Sequence, residues 1–551
     1  MKIVLSFVAA AIFAPALTSV ALAKEAISSA NILADTKVLA SDEFEGRAPG
    51  SPGEGKTIAF LIERFKSLGL APGNPDGTYV QNVPLVGITS TPTLSFVRDG
   101  VTIPMENINE FVGPSSRLTP HVEAKDSDVV FVGYGIVAPE FGWDDYKGVD
   151  VKGKTVVMLI NDPPVTGADG ALDPKVFGGK AMTYYGRWTY KYEIAAEKGA
   201  TACLIVHETG PAAYPFAVIT GSRSRENFEI SATDKNMGHV GMEGWLTLDA
   251  ARKLFAACGL DYDVAKKAAA TREFRPVPLG AKASFTIDNV LRNVASKNVA
   301  ALLPGADPKR KDEFVIYTAH WDHLGRDARL QGDQIFNGAA DNAAGVAVLL
   351  ELARVCTLLP AAERPARSIL FLSVTAEEKG LLGSRYYATE PLYPLTKTLA
   401  NINMDGANPF GPTSDMATVG YGASTIDDVG SAVAATQGRT MHPEAHPENG
   451  SYYRSDHFEF AKVGVPSYYP KNGRSYIGQP ADFAEKVVQD YIAKDYHKVS
   501  DEVKPDWTFA GAAQDTEFLL QVGLRIANGD TWPAWKPSNE FKARRDAMMK
   551  K

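Results

Sequence analysis

The chain has 551 residues, more than a single hydrophobic core usually serves, so two or three domains are expected. Hydrophobic residues make up 45% of it and charged residues 22%, which is the balance of a soluble globular protein. The formal net charge of -8 gives no basic field, which excludes nucleic acid and anionic membrane surfaces as partners.

The first residues have the pattern of a secretory signal peptide. Lys2 precedes a short apolar run that is broken by Pro15, and Ala21-Leu22-Ala23 supplies the small residues of a cleavage site before Lys24. A membrane anchor would need a longer unbroken run, and no later stretch provides one. We therefore predict that residues 1–23 are a signal peptide and that the mature protein is exported, periplasmic or extracellular, without a membrane span.

The three cysteines, Cys203, Cys258 and Cys356, are too few for a disulfide framework. Cys203 lies in an apolar strand pattern and Cys356 in an apolar helix pattern, so both are predicted to be buried thiols. A single bridge stays open as an alternative.

The first half of the mature chain divides into two regions. Residues 24–115 contain a Gly/Pro-rich loop at 41–53 and then a helical apolar pattern from 57 to 68. An irregular polar segment runs from about residue 107 to 128. Residues 116–288 carry strand-like runs and a short helix pattern but no cluster of acids and histidines, so this region is predicted to be non-catalytic.

From about residue 289 to the C-terminus, strand and helix patterns alternate. The apolar strand patterns are 314–318, 369–374, 399–404 and 465–469, and the helix patterns are 345–355, 425–437 and 512–526. Such alternation predicts an α/β fold with a mainly parallel, mixed sheet sandwiched by helices.

Two adjacent carboxylates, Glu377 and Glu378, follow the strand pattern at 369–374. Adjacent residues of an extended chain point in opposite directions, so one carboxylate could hold a metal while the other moves a proton. Alternatively, the pair could simply be favourable charge at a helix N-terminus. Residues elsewhere in the chain distinguish between these two interpretations.

Further imidazole and carboxylate side chains follow predicted strands or precede a helix. Because the carboxyl ends of parallel strands meet at one edge of a sheet, where ligands bind, we expect these side chains to gather there. They are the donors that a zinc site needs, and a bridging carboxylate could hold two metals. The set is His320, Asp322, Asp341, Asp405 and His497.

In order, spacing and type, these residues resemble the co-catalytic di-zinc exopeptidases, which include secreted bacterial leucine aminopeptidases and glutamate carboxypeptidases. The resemblance covers residues 290–530 and extends to 24–115, so 24–115 and 289–551 are predicted to form one catalytic domain with a phosphorylase/zinc-exopeptidase-like fold. Residues 116–288 resemble the protease-associated domain that many members carry as an insertion. The motifs are His320-Trp-Asp322, Asp341-Asn-Ala-Ala-Gly345, Glu377-Glu378, Asn403-Met-Asp405 and Tyr496-His497.

The resemblance implies a metal site with two Zn²⁺ per chain. Asp341 would bridge the two ions, His320 and Asp405 would complete one site, and Glu378 and His497 would complete the other. Family members also have a cis peptide after the bridging aspartate.

The resemblance also implies roles for three residues around the metals. Glu377 would be the general base that takes a proton from water and gives it to the leaving amine. Asp322 would fix the tautomer of a histidine ligand. Tyr496 would hydrogen-bond the oxyanion, or would only pack beside the metal.

The implied enzyme is a secreted zinc aminopeptidase that acts on peptides. A carboxypeptidase or dipeptidase on the same di-zinc site is the alternative, with a basic group that recognises the free carboxylate. A non-catalytic binding protein and a single-zinc cyclase are disfavoured because every ligand position carries an acid or a histidine.

Three weaker candidates lie near these motifs. His323 is expected to line the cleft or to pack structurally. Arg454 could clamp a substrate carboxylate, although a solvated position is favoured. Ser455, Asp456 and His457 do not form a nucleophile triad, because consecutive residues cannot converge in that way.

Overall fold

The computed structural model describes residues 27–167, 169–537 and 539–550. The predicted signal peptide, residues 1–23, lies outside the described residues. Among the helices that are described, none combines the length and apolar character needed to cross a lipid bilayer.

The strands are short except for β2 and β12. They are β1 (Ala71–Pro72), β2 (Val80–Arg98), β3 (Val101–Met105), β4 (Phe111–Val112), β5 (His121–Phe131), β6 (Val137–Ala138), β7 (Trp143–Asp144), β8 (Thr155–Leu159), β9 (Ala202–His207), β10 (Asn227–Ile230), β11 (Met242–Thr247), β12 (Val277–Leu303), β13 (Phe314–His320), β14 (Gly325–Arg326), β15 (Ile335–Phe336), β16 (Ser368–Val374), β17 (Thr398–Asn403), β18 (Asp415–Val419), β19 (Thr440–Pro443) and β20 (Ser467–Lys471).

The α-helices of the described chain are divided evenly between its two halves. They are α1 (Ser29–Leu39), α2 (Pro52–Ser67), α3 (Trp188–Glu197), α4 (Thr209–Ala212), α5 (Phe216–Arg223), α6 (Leu248–Ala257), α7 (Tyr262–Ala269), α8 (Ala344–Thr357), α9 (Leu382–Thr389), α10 (Ile426–Thr436), α11 (His457–Lys462), α12 (Phe483–Lys494), α13 (Ala510–Asn528) and α14 (Lys542–Met549).

A mixed sheet organises the C-terminal part of the chain. Its strand order is β19-β18-β20-β17-β13-β16-β12. β13 is parallel to both β16 and β17, and β17 is parallel to β20, whereas β12 is antiparallel to β16. The predicted α/β fold with a mainly parallel, mixed sheet is therefore confirmed.

The central strands are apolar throughout because they are covered on both faces. Every residue of β13, β16 and β17 is buried. Helix α8 is buried along almost its whole length, in one hydrophobic core with residues of α1, α2 and α13. Each fully buried Leu or Val of this core contributes about 1.5–3 kcal/mol of transfer free energy. The core therefore stabilises the strands and the edge at which they end.

The strand β12 connects this sheet to the rest of the molecule. It pairs with β2 over a long antiparallel ribbon, from Lys282 opposite Val97 to Val299 opposite Val80. Its N-terminal part pairs with β5, and its C-terminal part pairs with β16. The predicted division at residues 288 and 289 lies inside this strand, and the division itself stays a prediction.

Beyond β12, the sheet continues as a second group of strands in the order β5-β8-β9-β11-β4. β5, β8, β9 and β11 are successively parallel, and α6 and α7 pack on them. The irregular segment expected up to residue 128 is wrong in its last part, because β5 begins at His121. The predicted buried thiols of Cys203 and Cys356 are confirmed.

Candidate metal centre

Three neighbouring parallel strands bring acids and a histidine to one edge of the sheet. His320 is the last residue of β13. Glu377 follows β16 and Asp405 follows β17, the strands on either side of β13. The expected gathering of polar side chains at the carboxyl ends of these strands is therefore present.

The turn after β16 is shaped by left-handed backbone conformations. Ala376 has φ 53° and Leu381 has φ 61°, on either side of the carboxylate pair. A Cβ at Gly383 would lie 2.3 Å from the carbonyl oxygen of Thr375, so only glycine allows this close return of the chain. Helix α9 begins directly after this turn, at Leu382.

Asp322 holds this turn through its carboxylate. The backbone N–H of Glu377 donates to its Oδ1 at 3.0 Å, and that of Glu378 donates to its Oδ2 at 3.4 Å. The carboxylate lies 3.7 Å from Nδ1 of His320, which instead faces the backbone carbonyl of Asp322 at 3.2 Å. Asp322 thus hydrogen-bonds to the backbone of the Glu377–Glu378 pair. The resemblance implied instead that it would fix the imidazole of His320.

The first group of donor atoms surrounds His320. Its Nε2 lies 3.3 Å from Oδ1 of Asp341 and 3.6 Å from Oδ1 of Asp405. This nitrogen is buried and has no hydrogen-bond partner among the described residues. A carboxylate oxygen of Glu377 also lies within 4.8 Å of the His320 and Asp405 donor atoms.

The second group of donor atoms surrounds Glu378. Its Oε2 lies 3.1 Å from Nε2 of His497, which in turn is 3.4 Å from Oδ2 of Asp341. Its other oxygen, Oε1, is 2.7 Å from Nδ1 of His323. Asp341 therefore directs one oxygen to each group.

The donor set fits zinc in chemistry and in spacing. Imidazole nitrogen and carboxylate oxygen are its usual ligands, and two atoms at about 2.0–2.1 Å from a tetrahedral zinc lie about 3.3 Å apart. The observed separations of 3.1–3.6 Å in the two groups match that value. A buried imidazole nitrogen without a hydrogen-bond partner also calls for a ligand.

The turn that carries Asp341 is tied to its surroundings on both sides. The Asp341–Asn342 peptide is cis, as the resemblance implied. The side-chain oxygen of Asn342 accepts hydrogen bonds from the N–H groups of Gly345 and Gly406, so it joins this turn to the loop after β17. The carboxylate of Asp501 accepts from the N–H groups of Asp341 and the residue before it.

The electrostatics of the centre favour a bound cation. Burial raises the pKa of Glu377 well above its usual range; His320 opposes this effect, and the charges of Asp405 and Glu378 add to it. Burial also raises the pKa of Asp322 to about 7. Against the effect of burial, neighbouring histidines and Lys471 lower the pKa values of the other three carboxylates, so these groups are ionised and would stabilise a positive ion among them; they are Asp341, Glu378 and Asp405.

Two contacts at the centre were not predicted from the sequence. Arg47, from the Gly/Pro-rich N-terminal loop, is fully buried and donates to the carbonyl oxygens of Trp321 and Gly338, which border the ligand turns. His323, which was expected to line the cleft or to pack structurally, is fully buried and contacts Glu378. In the sequence, the one signal for Arg47 was a charged residue within the Gly/Pro-rich loop, directly after Gly46.

Tyr496 lies at the mouth of the centre. Its ring stacks on that of His497 with the centroids 3.9 Å apart, and 39% of its surface is exposed. Desolvation of the hydroxyl group and the charges of Asp341 and Glu378 raise the pKa of Tyr496 well above its ordinary value. The hydroxyl is therefore a hydrogen-bond donor at neutral pH.

Arg454 is half-buried rather than solvated. Its Nη2 donates to the carbonyl oxygen of Ala212 at 3.3 Å, and its guanidinium carbon lies 5.2 Å from the centre of the Tyr214 ring. Its Nε is buried and lacks a partner among the described residues. The expected solvated position of Arg454 is therefore wrong.

Comparison with known proteins identifies the C-terminal part of the chain. Residues 298–520 match the profile described as "Peptidase family M28". This match confirms the resemblance for that region, and it agrees with the predicted class of zinc metallopeptidase. Residues 116–288 lie outside the match, so their likeness to a protease-associated domain stays a prediction.

Individual relatives share parts of the chain. "Aminopeptidase NAALADL1" of Mus musculus is 39% identical over 131 residues, which are 23% of this chain and 16% of that protein. "Glutamate carboxypeptidase 2 homolog" of Caenorhabditis elegans is 24% identical over 343 residues, 55% of this chain and 40% of that protein. The alignments thus span less than half of either relative. Among solved structures, "Aminopeptidase from Aneurinibacillus sp. strain AM-1" superposes with a TM-score of 0.49 at 19% identity, covering 94% of this chain and 97% of that chain.

Proposed function

We propose that the protein is a di-zinc aminopeptidase that removes N-terminal residues from peptides outside the cytoplasm. The observation that supports the proposal most strongly is that the two oxygens of the Asp341 carboxylate face different groups of donor atoms. One oxygen faces His320 and Asp405, and the other faces the Glu378 and His497 pair. One bridging carboxylate between two such groups supports two metal ions, and the sequence of residues 1–23 supports export.

The residues that would hold the metals are Asp341 between both ions, His320 and Asp405 on one side, and Glu378 and His497 on the other. Bound zinc would supply a water molecule of lowered pKa and would polarise the scissile carbonyl.

Glu377 moves the proton. Its carboxylate lies beside His320 and Asp405 but is not needed for either group of ligands, so it is free to accept a proton from water. Asp322 fixes its backbone, which holds the carboxylate at one place. The same carboxyl group then donates the proton to the leaving amine.

Tyr496 is placed to assist at the carbonyl oxygen. Its hydroxyl group is a donor beside the ligand His497, and such a donor stabilises the oxyanion as negative charge develops there. Tyr496→Phe should lower kcat by about 10²-fold with little change in KM. A fall in kcat of less than about threefold would show that the ring only packs against His497.

The role of Glu377 is tested by Glu377→Gln. This variant should keep its zinc and lose turnover by about 10²–10⁴-fold, the size of a general-base contribution. Glu63→Gln, an exposed carboxylate on α2, is the matched control and should remain active. Zinc analysis of the wild-type chain tests the metal count, since one zinc per chain at full activity would contradict the two-metal site.

A second candidate, a carboxypeptidase or dipeptidase, is favoured by an arginine cluster that consists of Arg187, Arg223 and Arg454. The Arg187 and Arg223 guanidinium groups lie 5.1 and 4.4 Å from the Trp188 ring. Burial lowers the pKa of Arg187 to about 10, and the charges of Arg454 and Arg223 add to this effect. Among the described residues, the buried Nε atoms of Arg187 and Arg454 have no hydrogen-bond partner. Unpaired guanidinium groups fit a substrate carboxylate.

Terminus-blocked peptides separate the two candidates. An aminopeptidase should lose activity when the substrate N-terminus is acetylated, and cleavage that survives acetylation would contradict it. A carboxypeptidase or dipeptidase should instead lose activity when the C-terminus is amidated. In that case Arg454→Met should raise KM for peptides with a free C-terminal carboxylate and leave the residual cleavage of amidated peptides unchanged.

A further inference from the structure

His323 is a fully buried histidine outside the ligand set that the resemblance implies, although one of its ring nitrogens lies within 4.8 Å of carboxylate oxygens of Asp341 and Glu378. Its side chain has no exposed surface, and its one polar side-chain contact among the described residues is the 2.7 Å approach of Nδ1 to Oε1 of Glu378. The other ring nitrogen, Nε2, is buried without a partner there. The ring is therefore held beside a single carboxylate oxygen.

The surroundings of His323 keep its ring in this place. Its backbone N–H donates to the carbonyl oxygen of Arg47 at 3.4 Å. A Cβ at position 338 would come within 2.5 Å of the imidazole Cδ2, and position 338 is a glycine with φ 55°. The ring of His497 lies edge-on with the ring centroids 5.8 Å apart. These contacts hold the imidazole ring of His323 in one position.

The distance to Glu378 distinguishes a hydrogen bond from shared metal ligation. Two ligands of one tetrahedral zinc lie about 3.3 Å apart, whereas a hydrogen bond to a carboxylate has a length of about 2.7–2.9 Å. The 2.7 Å between Nδ1 and Oε1 fits the hydrogen bond. In this bond Nδ1–H of His323 donates and Oε1 of Glu378 accepts.

The two oxygens of Glu378 consequently have different partners. Oε1 accepts from His323, and Oε2 faces Nε2 of His497 at 3.1 Å. We propose that His323 is a positioning residue that occupies Oε1 of Glu378, so that Glu378 binds zinc through Oε2 alone. This inference rests on the proposed function. A carboxylate bound through one oxygen leaves one coordination position more for substrate than a carboxylate bound through two.

The experiment compares two substitutions of similar shape that differ in the donor. His323→Asn places an amide N–H close to the position of Nδ1, and His323→Leu has none. Zinc affinity is measured by chelator competition on the full chain, and the cobalt-substituted proteins are compared by visible absorption. We expect the Asn variant to bind both zinc ions within about threefold of the wild type, and the Leu variant to bind one zinc about 10–100-fold more weakly. The cobalt spectrum should change in the Leu variant only.

Equal zinc affinities of the Asn and Leu variants would overturn the proposal, because the donor would then be irrelevant. Wild-type affinity in the Leu variant would overturn it as well. His323→Phe, which keeps the ring without a donor, replaces the Leu variant if that chain does not fold. A wild-type chain that binds one zinc would contradict the two-metal function, and the variants would still test His323 through their affinities for that ion.

Discussion

Arg47 offers a sharp test of how the N-terminal segment supports the metal centre. Its guanidinium group is buried and donates to four backbone carbonyl oxygens, at distances of 2.6–2.9 Å. Burial lowers its pKa to about 10, while the charge of Asp501 and those of other nearby acids oppose this shift, so it remains charged at neutral pH. The accepting carbonyl groups belong to Leu39, Trp321, Asn337 and Gly338.

The cost of Arg47→Met follows from these contacts. Each buried carbonyl oxygen that loses its donor costs about 1–3 kcal/mol, so the four together should lower the free energy of unfolding by about 4 kcal/mol or more. Arg47→Lys keeps the charge but has three donors in a different geometry, and it should fall between the wild type and the Met variant.

The measurement is urea unfolding of the zinc-free proteins, followed by tryptophan fluorescence. Zinc is removed so that metal affinity and folding are not mixed in one number. A loss below about 1 kcal/mol in the Met variant, the size of an ordinary substitution, would refute the reasoning. A Lys variant that is less stable than the Met variant would also refute the reasoning, because the donors that Lys retains would then contribute nothing to stability.

Two other substitutions test separate parts of the structure. Gly345→Ala places a Cβ 2.0 Å from the side-chain oxygen of Asn342, so it should lower both zinc content and melting temperature, whereas Gly55→Ala has open space and should do neither. Glu243 raises the pKa of His239 by hydrogen bonding, so this stabilisation is complete below pH of about 6.5 and is lost as the pH rises. Because His239 is 39% exposed, His239→Gln should cost less than about 1 kcal/mol at pH 6 and still less at pH 9, and a pH-independent difference in urea midpoint would contradict this.

The sequence was sufficient for the sheet and for the group of acids and histidines at its edge. The strands β13, β16 and β17 are uninterrupted apolar runs of ordinary length, and parallel strands of this kind must bring their carboxyl ends together. Local pattern and global topology therefore agree in this part of the chain. The gathering of His320, Glu377 and Asp405 follows from that agreement alone.

Contacts between distant segments could not be read in the same way. Arg47 acts on loops that are about 270–290 residues away in sequence, and no periodicity records such a pairing. The long antiparallel ribbon of β2 and β12 was also not predicted. Because β12 pairs with both β2 and β5, the order of its polar and apolar residues reflects two different neighbours and shows no single period. The contact of His323 was not predicted for a related reason, since its partner Glu378 lies in the turn after the neighbouring strand β16.

Zinc binding and the folding of the N-terminal segment should be thermodynamically coupled. Arg47 touches no ligand atom, but it holds the carbonyl groups of Trp321 and Gly338, which flank the turns that carry His320 and Asp341. A ligand at 100 times its dissociation constant stabilises the folded chain by about 2.7 kcal/mol, which is of the same order as the loss of one or two Arg47 hydrogen bonds. Weakening Arg47 should therefore weaken zinc binding from a distance, and bound zinc should offset part of the instability that the substitution creates.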